Sequence, residues 1–143
     1  MNWRIGISLS VLLINTITDV RRREISLPIT LSYCAIGIIW WIYSLRTGQA
    51  DSWVIWIGSL APGVLLCMLS WLSHGNVGFG DGMITFGLGV WNGPDFTVKV
   101  LMIALFAASI YAGYLILFQK AGRRKQIPFL PFLFLGTIGG VFL

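Results

Sequence analysis

Six mostly apolar stretches, separated by short polar or basic breaks, leave this chain almost no material for a water-soluble layer. They fall at about 5–20, 28–45, 53–72, 78–91, 98–118 and 127–143. A helix that crosses a bilayer needs about 20 such residues, and it satisfies its own backbone hydrogen bonds where no water is present to do so. With 143 residues, 57% hydrophobic and only 10% charged, the chain lies outside the composition of soluble domains. The expectation is one all-α domain over 1–143, a polytopic membrane protein of six transmembrane helices with a short fourth helix.

The breaks carry the orientation. The first stretch is opened by Trp3 and Arg4 and closed by Asp19 and Arg21-Arg22-Arg23-Glu24. Its heavier positive flank follows the apolar run, and no small-x-small cleavage site precedes Asp19, so it reads as a retained span and not a signal peptide. Pro28 suits the first turn of the second helix, where a missing N–H costs nothing. Pro62 predicts a kink in the third. The fourth stretch is short enough to be re-entrant, and charge decides against that. If all six segments cross, Arg21, Arg22, Arg23, Lys120, Arg123, Arg124 and Lys125 share one side, against Arg4, Arg46 and Lys99 on the other. That asymmetry puts the first group in the cytoplasm and both termini outside it. Trp3, Trp40, Trp41, Trp53, Trp56 and Trp91 are then expected towards the outer half as an aromatic belt, with Trp71 at the inner edge.

Two acids stand out. Asp81 sits in the glycine-rich turn Gly78-Phe79-Gly80-Asp81-Gly82 at the start of an apolar run, and Asp19 sits near the end of the first span. Ionisable groups at the edge of hydrocarbon are costly and usually functional. Two complete crossings separate the pair, which returns both to the cytoplasmic mouth. Asp51 and Asp95 belong to the opposite face, and Glu24 is the remaining inner acid. Two aspartates at one depth are the minimum equipment for aspartyl peptide hydrolysis. One, as the anion, takes a proton from water, and the other, protonated, donates a hydrogen bond to the scissile carbonyl. Such a pair titrates as a unit, because two like charges a few ångströms apart resist joint ionisation.

The residues around these acids resemble a known family. Asp19-Val-Arg-Arg-Arg-Glu-Ile25 is similar to the first-aspartate motif of type IV prepilin peptidases, and Gly78-Phe79-Gly80-Asp81 to their second. Pro128-Phe129-Leu130-Pro131-Phe132 and Gly136 resemble the closing motif, so the likeness runs from about Asn15 to Gly140. It implies an intramembrane aspartyl endopeptidase of the cytoplasmic membrane that removes the basic leader of a prepilin, pseudopilin or preflagellin, commonly after a Gly. By position Asp19 and Asp81 match the catalytic pair, and Gly78 and Gly80 the glycines that shape the loop beside it. Small members of the family lack an amino-terminal extension with paired Cys-x-x-Cys motifs; this chain has none, and methyl transfer is not expected. Three departures stand in the motifs. Ser26-Leu27 replaces the frequent Pro-Asn, Met83 the usual Lys, and Leu130 a usual Gly.

No cofactor or metal is expected. Cys34 and Cys67 lie inside spans two and three without zinc-type spacing and read as small packing residues. His74, the one histidine, is isolated near the inner mouth and takes no assigned role. The basic runs read as topology signals and anchors for anionic lipid, not as a nucleic-acid site, for which no soluble module exists. The spacings Gly89 to Gly93 and Gly136 to Gly140 fit close helix packing. Two other readings stay open: a small proton- or ion-coupled transporter binding its ion at Asp19 and Asp81, and a catalytically inactive assembly factor of a pilus or secretion system.

Overall fold

A computed structural model describes residues 3–22, 25–48, 53–72, 78–119 and 128–142. Glu24, Asp51, His74, Arg23 and the basic run at 120–125 lie outside the described residues. The described chain is helical: α1 (Trp3–Arg22), α2 (Leu27–Arg46), α3 (Trp53–Leu72), α4 (Phe79–Asn92), α5 (Pro94–Gln119) and α6 (Leu130–Phe142). Among the described residues, three helices are long and apolar enough to cross a membrane, over Trp3–Arg21, Leu27–Arg46 and Pro94–Leu115. The apolar stretches Ile57–Leu72 of α3 and Leu130–Phe142 of α6 are shorter. Among the described residues, then, there are six helices, with three clear spans.

The surface and the interior are reversed relative to a soluble protein. Ile39, Leu65, Met102, Phe106 and Leu117 are each more than half exposed, whereas Ser8, Asn15, Thr30, Thr85, Thr97 and Thr137 are fully buried. Apolar side chains facing outward all round are what lipid solvates. The hydroxyls of these fully buried residues are paired. Thr85 Oγ1, Thr97 Oγ1 and Thr137 Oγ1 each donate 2.8 Å to the carbonyl four residues back. Such bonds satisfy a polar atom within its own helix.

The shortest of the long-run elements after α6, α4, is the centre of the molecule. It packs on α1, α2, α3 and α5, and Ile84, Leu88, Val90 and Trp91 are 2% exposed or less. Between apolar helices in lipid there is no hydrophobic drive to associate, so close packing and hydrogen bonds carry the contact. Glycine makes the approach to α3 possible. A Cβ on Gly82 would lie 2.5 Å from Cys67 Sγ and 2.8 Å from Cys67 N, and one on Gly89 would strike the Ser59 carbonyl. Ser59 Oγ donates 3.1 Å to Gly89 O across the same seam.

The C-terminal end of α4 is held by polar contacts to the first two helices. Trp91 Nε1 donates to Tyr33 O at 3.0 Å, Asn92 Nδ2 donates to Ser8 Oγ at 2.9 Å, and Ser8 Oγ and Tyr33 OH are 2.7 Å apart. Trp91 is thus an interior residue, 2% exposed, and not a lipid-facing member of an aromatic belt. Its ring stacks on Tyr33 and meets Trp3 edge-on, while Trp3 in turn meets Trp40. The Arg4 guanidinium lies 5.5 Å from the Trp40 ring.

Helix boundaries correct the sequence expectation in two places. α5 begins four residues early, because Gly93 ends α4 at φ +82 and Pro94 takes the first helical position, where its ring is no obstacle. Gly93 is therefore a turn residue and not part of a packing pair with Gly89; a Cβ there would touch nothing within 4 Å. α6 begins late, at Leu130, since Pro128 and Pro131 can only precede or open a helix. Gly136 does pack as expected: a Cβ on it would lie 2.5 Å from Val100 O of α5. α3 runs through Pro62 as one helix.

Candidate active site

Asp19 and Asp81 come from opposite ends of two different helices. Ser8, Leu12, Asn15 and Asp19 recur at intervals of three and four residues, which places them on one face of α1. Ser8, Leu12 and Asn15 are buried, so this is the inward face, and Asp19, half-buried in the last turn, is its final member. Asp81 is the third residue of α4 and is 9% exposed.

α1 and α4 pack on each other, and the two helix ends that carry these acids are linked through Ile25, which lies on Gly80. Asp81 N donates to Gly78 O at 3.1 Å, closing the first turn of α4. The Asp81 side chain folds back over Gly78, where a Cβ would lie 2.8 Å from Asp81 Oδ2. No hydrogen-bonding side chain caps this end of α4.

Gly80 has a different neighbour. The Ile25 side chain covers it, and a Cβ on Gly80 would collide with Ile25 Cδ1 and lie 3.1 Å from Ile25 Cβ. Ile25 also packs on the cluster built from Leu12, Ile84, Leu88, Val100, Ala104, Leu130 and Leu133. The segment that leaves α1 just after Asp19 therefore rests against the helix turn that carries Asp81. Leu130, in the place of a usual Gly, is fully buried in this same cluster. Met83 is half-buried, and its carbonyl accepts the Cys34 thiol at 3.4 Å.

One contributor is absent from the residues the sequence singled out. Asn15 is fully buried one turn before Asp19. Its Oδ1 accepts the Ser26 backbone N–H at 3.2 Å and the Thr30 hydroxyl at 3.5 Å, and its Nδ2 donates to Val11 O at 3.0 Å. The signal available in sequence was an amide four residues before an acid on an otherwise apolar stretch.

Beside the turn, an open cavity of about 490 Å³ is lined by Ile17, Thr18 and Arg21 of α1 and by residues 25–28. It is the one cavity described here that touches the helix end bearing Asp19. The second, about 430 Å³, is apolar and lies further along, between α1, α2 and Trp91.

A family model described as the type IV leader peptidase family matches residues 6–117. The match holds both acids, Gly78 and Gly80, and begins earlier than the resemblance in the motifs; α6 and its Pro128 to Gly136 motif lie beyond it. No curated protein and no solved structure matches the chain.

Proposed function

The chain belongs to the type IV leader peptidase family, and on that premise we propose that it is an aspartyl endopeptidase whose catalytic groups are Asp19 and Asp81. The observation that supports this reading is the seating of Ile25, which follows the helix end bearing Asp19, on Gly80, in the helix turn that bears the buried Asp81. In the reaction one aspartate, ionised, removes a proton from water, and the resulting hydroxyl attacks the scissile carbonyl carbon. The other aspartate, protonated, donates to the carbonyl oxygen. As the tetrahedral intermediate collapses, a proton passes to the leaving nitrogen and the C–N bond breaks. Gly78 and Gly80 support the pair through their lack of side chains, one leaving room for the Asp81 carboxyl and the other for Ile25.

The substrate is a prepilin-like protein, and its leader is cut at the cytoplasmic face of the cell membrane. Six crossings place both termini on the outer side, with the whole chain as one catalytic domain in contact with membrane lipid. At 14 residues, α4 is about 21 Å long against roughly 30 Å of hydrocarbon. A helix that short leaves at least one of its ends inside the hydrocarbon, and a substrate helix cut there must unwind to offer its carbonyl. The cavity beside Arg21 and Ile25 adjoins the helix end that carries Asp19.

Purified protein in proteoliposomes, given a test substrate made of a basic leader, a glycine cleavage point and an apolar helix, is expected to release the leader without any added component. Absence of cleavage together with a proton or ion flux would transfer the two acids to the transporter reading.

A further inference from the structure

We propose that Asn15 is a positioning residue, which sets the catalytic geometry by clamping the start of α2 to the helix that carries Asp19. This rests on the reading of Asp19 and Asp81 as the catalytic pair.

At the helix start it clamps, the N-cap residue Ser26 makes no side-chain capping hydrogen bond, and its backbone N–H instead reaches across to Asn15 Oδ1. Thr30, fully buried one turn into α2, donates its N–H to Ser26 O at 3.0 Å, and its one hydroxyl proton is within reach of Ser26 O at 3.1 Å or of Asn15 Oδ1 at 3.5 Å. Asn15 is therefore the point on α1 to which the first turn of α2 is tied, through a side chain that is itself fully buried.

The consequence extends past Ser26. Its neighbour Ile25 is the residue that lies on Gly80, and Gly80 adjoins Asp81. A continuous series of contacts leads from Asn15 through Ser26 and Ile25 to Gly80. Asp19 hangs one turn beyond the start of that series and Asp81 one residue beyond its end. A shift of the α1–α2 turn moves one acid relative to the other, and misplacement by about 1 Å costs on the order of a hundredfold in rate.

The experiment uses full-length protein in proteoliposomes, with the same test substrate of basic leader, glycine and apolar helix, and rates counted per folded molecule. Asn15→Leu removes the acceptor. Ser26→Pro removes the donor at a residue whose φ of −67 a proline adopts without strain. Each is expected to lower kcat at least tenfold with KM changed less than threefold. The double variant is expected to be no slower than the worse single one, because both delete the same bond. Asn15→Asp, which keeps the acceptor oxygen, is expected to recover most of the rate at its own pH optimum. Unchanged kcat in Asn15→Leu, losses that multiply in the double variant, or losses accounted for by the folded fraction alone would overturn the proposal. Asp19→Asn, run alongside, separates the two levels. Persistent cleavage there sinks the acid pair and the positioning role with it, whereas an inert Asp19→Asn beside a fully active Asn15→Leu sinks only the positioning role.

Discussion

Ile25 lies on the bare Cα of Gly80, so that the segment following one acid of the site is seated against the turn that carries the other. The two sequence motifs, more than fifty residues apart by number, are in this way one packed unit. A methyl group on Gly80 would have to displace the Ile25 side chain from its seat. Gly80→Ala is expected to reduce leader cleavage by at least tenfold. Combining it with Ile25→Ala, which removes the colliding atoms, is expected to return part of the lost rate. Cleavage assays on both variants check this, and a Gly80→Ala enzyme of full activity contradicts it.

The seam between α3 and α4 responds to the same test at a different level. A Cβ on Gly82 meets the Cys67 backbone, whereas one on Gly113 of α5 meets nothing within 4 Å. Overpacking a rigid contact costs about 1–3 kcal/mol, and relief of a helical glycine gains up to about 1 kcal/mol. Thermal unfolding in detergent is expected to show Gly82→Ala clearly destabilised and Gly113→Ala unchanged or more stable.

Ser8 stands eleven residues before Asp19, roughly 16 Å along the helix at 1.5 Å per residue. It bonds both Tyr33 and Asn92. Ser8→Ala removes a partner from each, at about 0.6–1.7 kcal/mol per interhelical bond in a membrane protein. The expected result is a lower unfolding temperature with kcat per folded molecule unchanged. A fall in kcat would mean that the far end of α4 takes part in setting the site.

The proposed hydrolysis by one ionised and one protonated aspartate fixes the shape of the pH profile. At low pH both acids hold protons and no base is available; at high pH both are ionised and nothing donates to the carbonyl. The rate is expected to fall on either side of an optimum. A profile with a single ionisation, flat to one side, would assign the chemistry to one acid only.

Much of this arrangement is legible in the residues alone, for physical reasons. Long apolar runs define their own helices in a bilayer, and the limits of α3, Trp53–Leu72, are those its run implies. An acid in such a run is conspicuous because so few tolerate it, and Asp19 and Asp81 were recognisable on that ground. What local pattern does not carry is the partner of a contact. Trp91 has the composition of a belt residue, yet it is enclosed by Tyr33 and Trp3. Gly93 has the spacing of a packing glycine, yet the proline after it makes it a turn. Asn15 matters through Ser26 N, a backbone group that no residue-type pattern can flag.

The proposed hydrolysis requires Asp19 and Asp81 to act together, and replacement of each by Asn tests that most directly, since the side chain keeps its shape and loses its acid. The measurement is leader release from a co-expressed prepilin-like substrate, with membrane insertion of the variant verified in the same cells. Both Asp19→Asn and Asp81→Asn are expected to insert normally and to leave the substrate uncut. Undiminished cleavage by either variant would contradict the account.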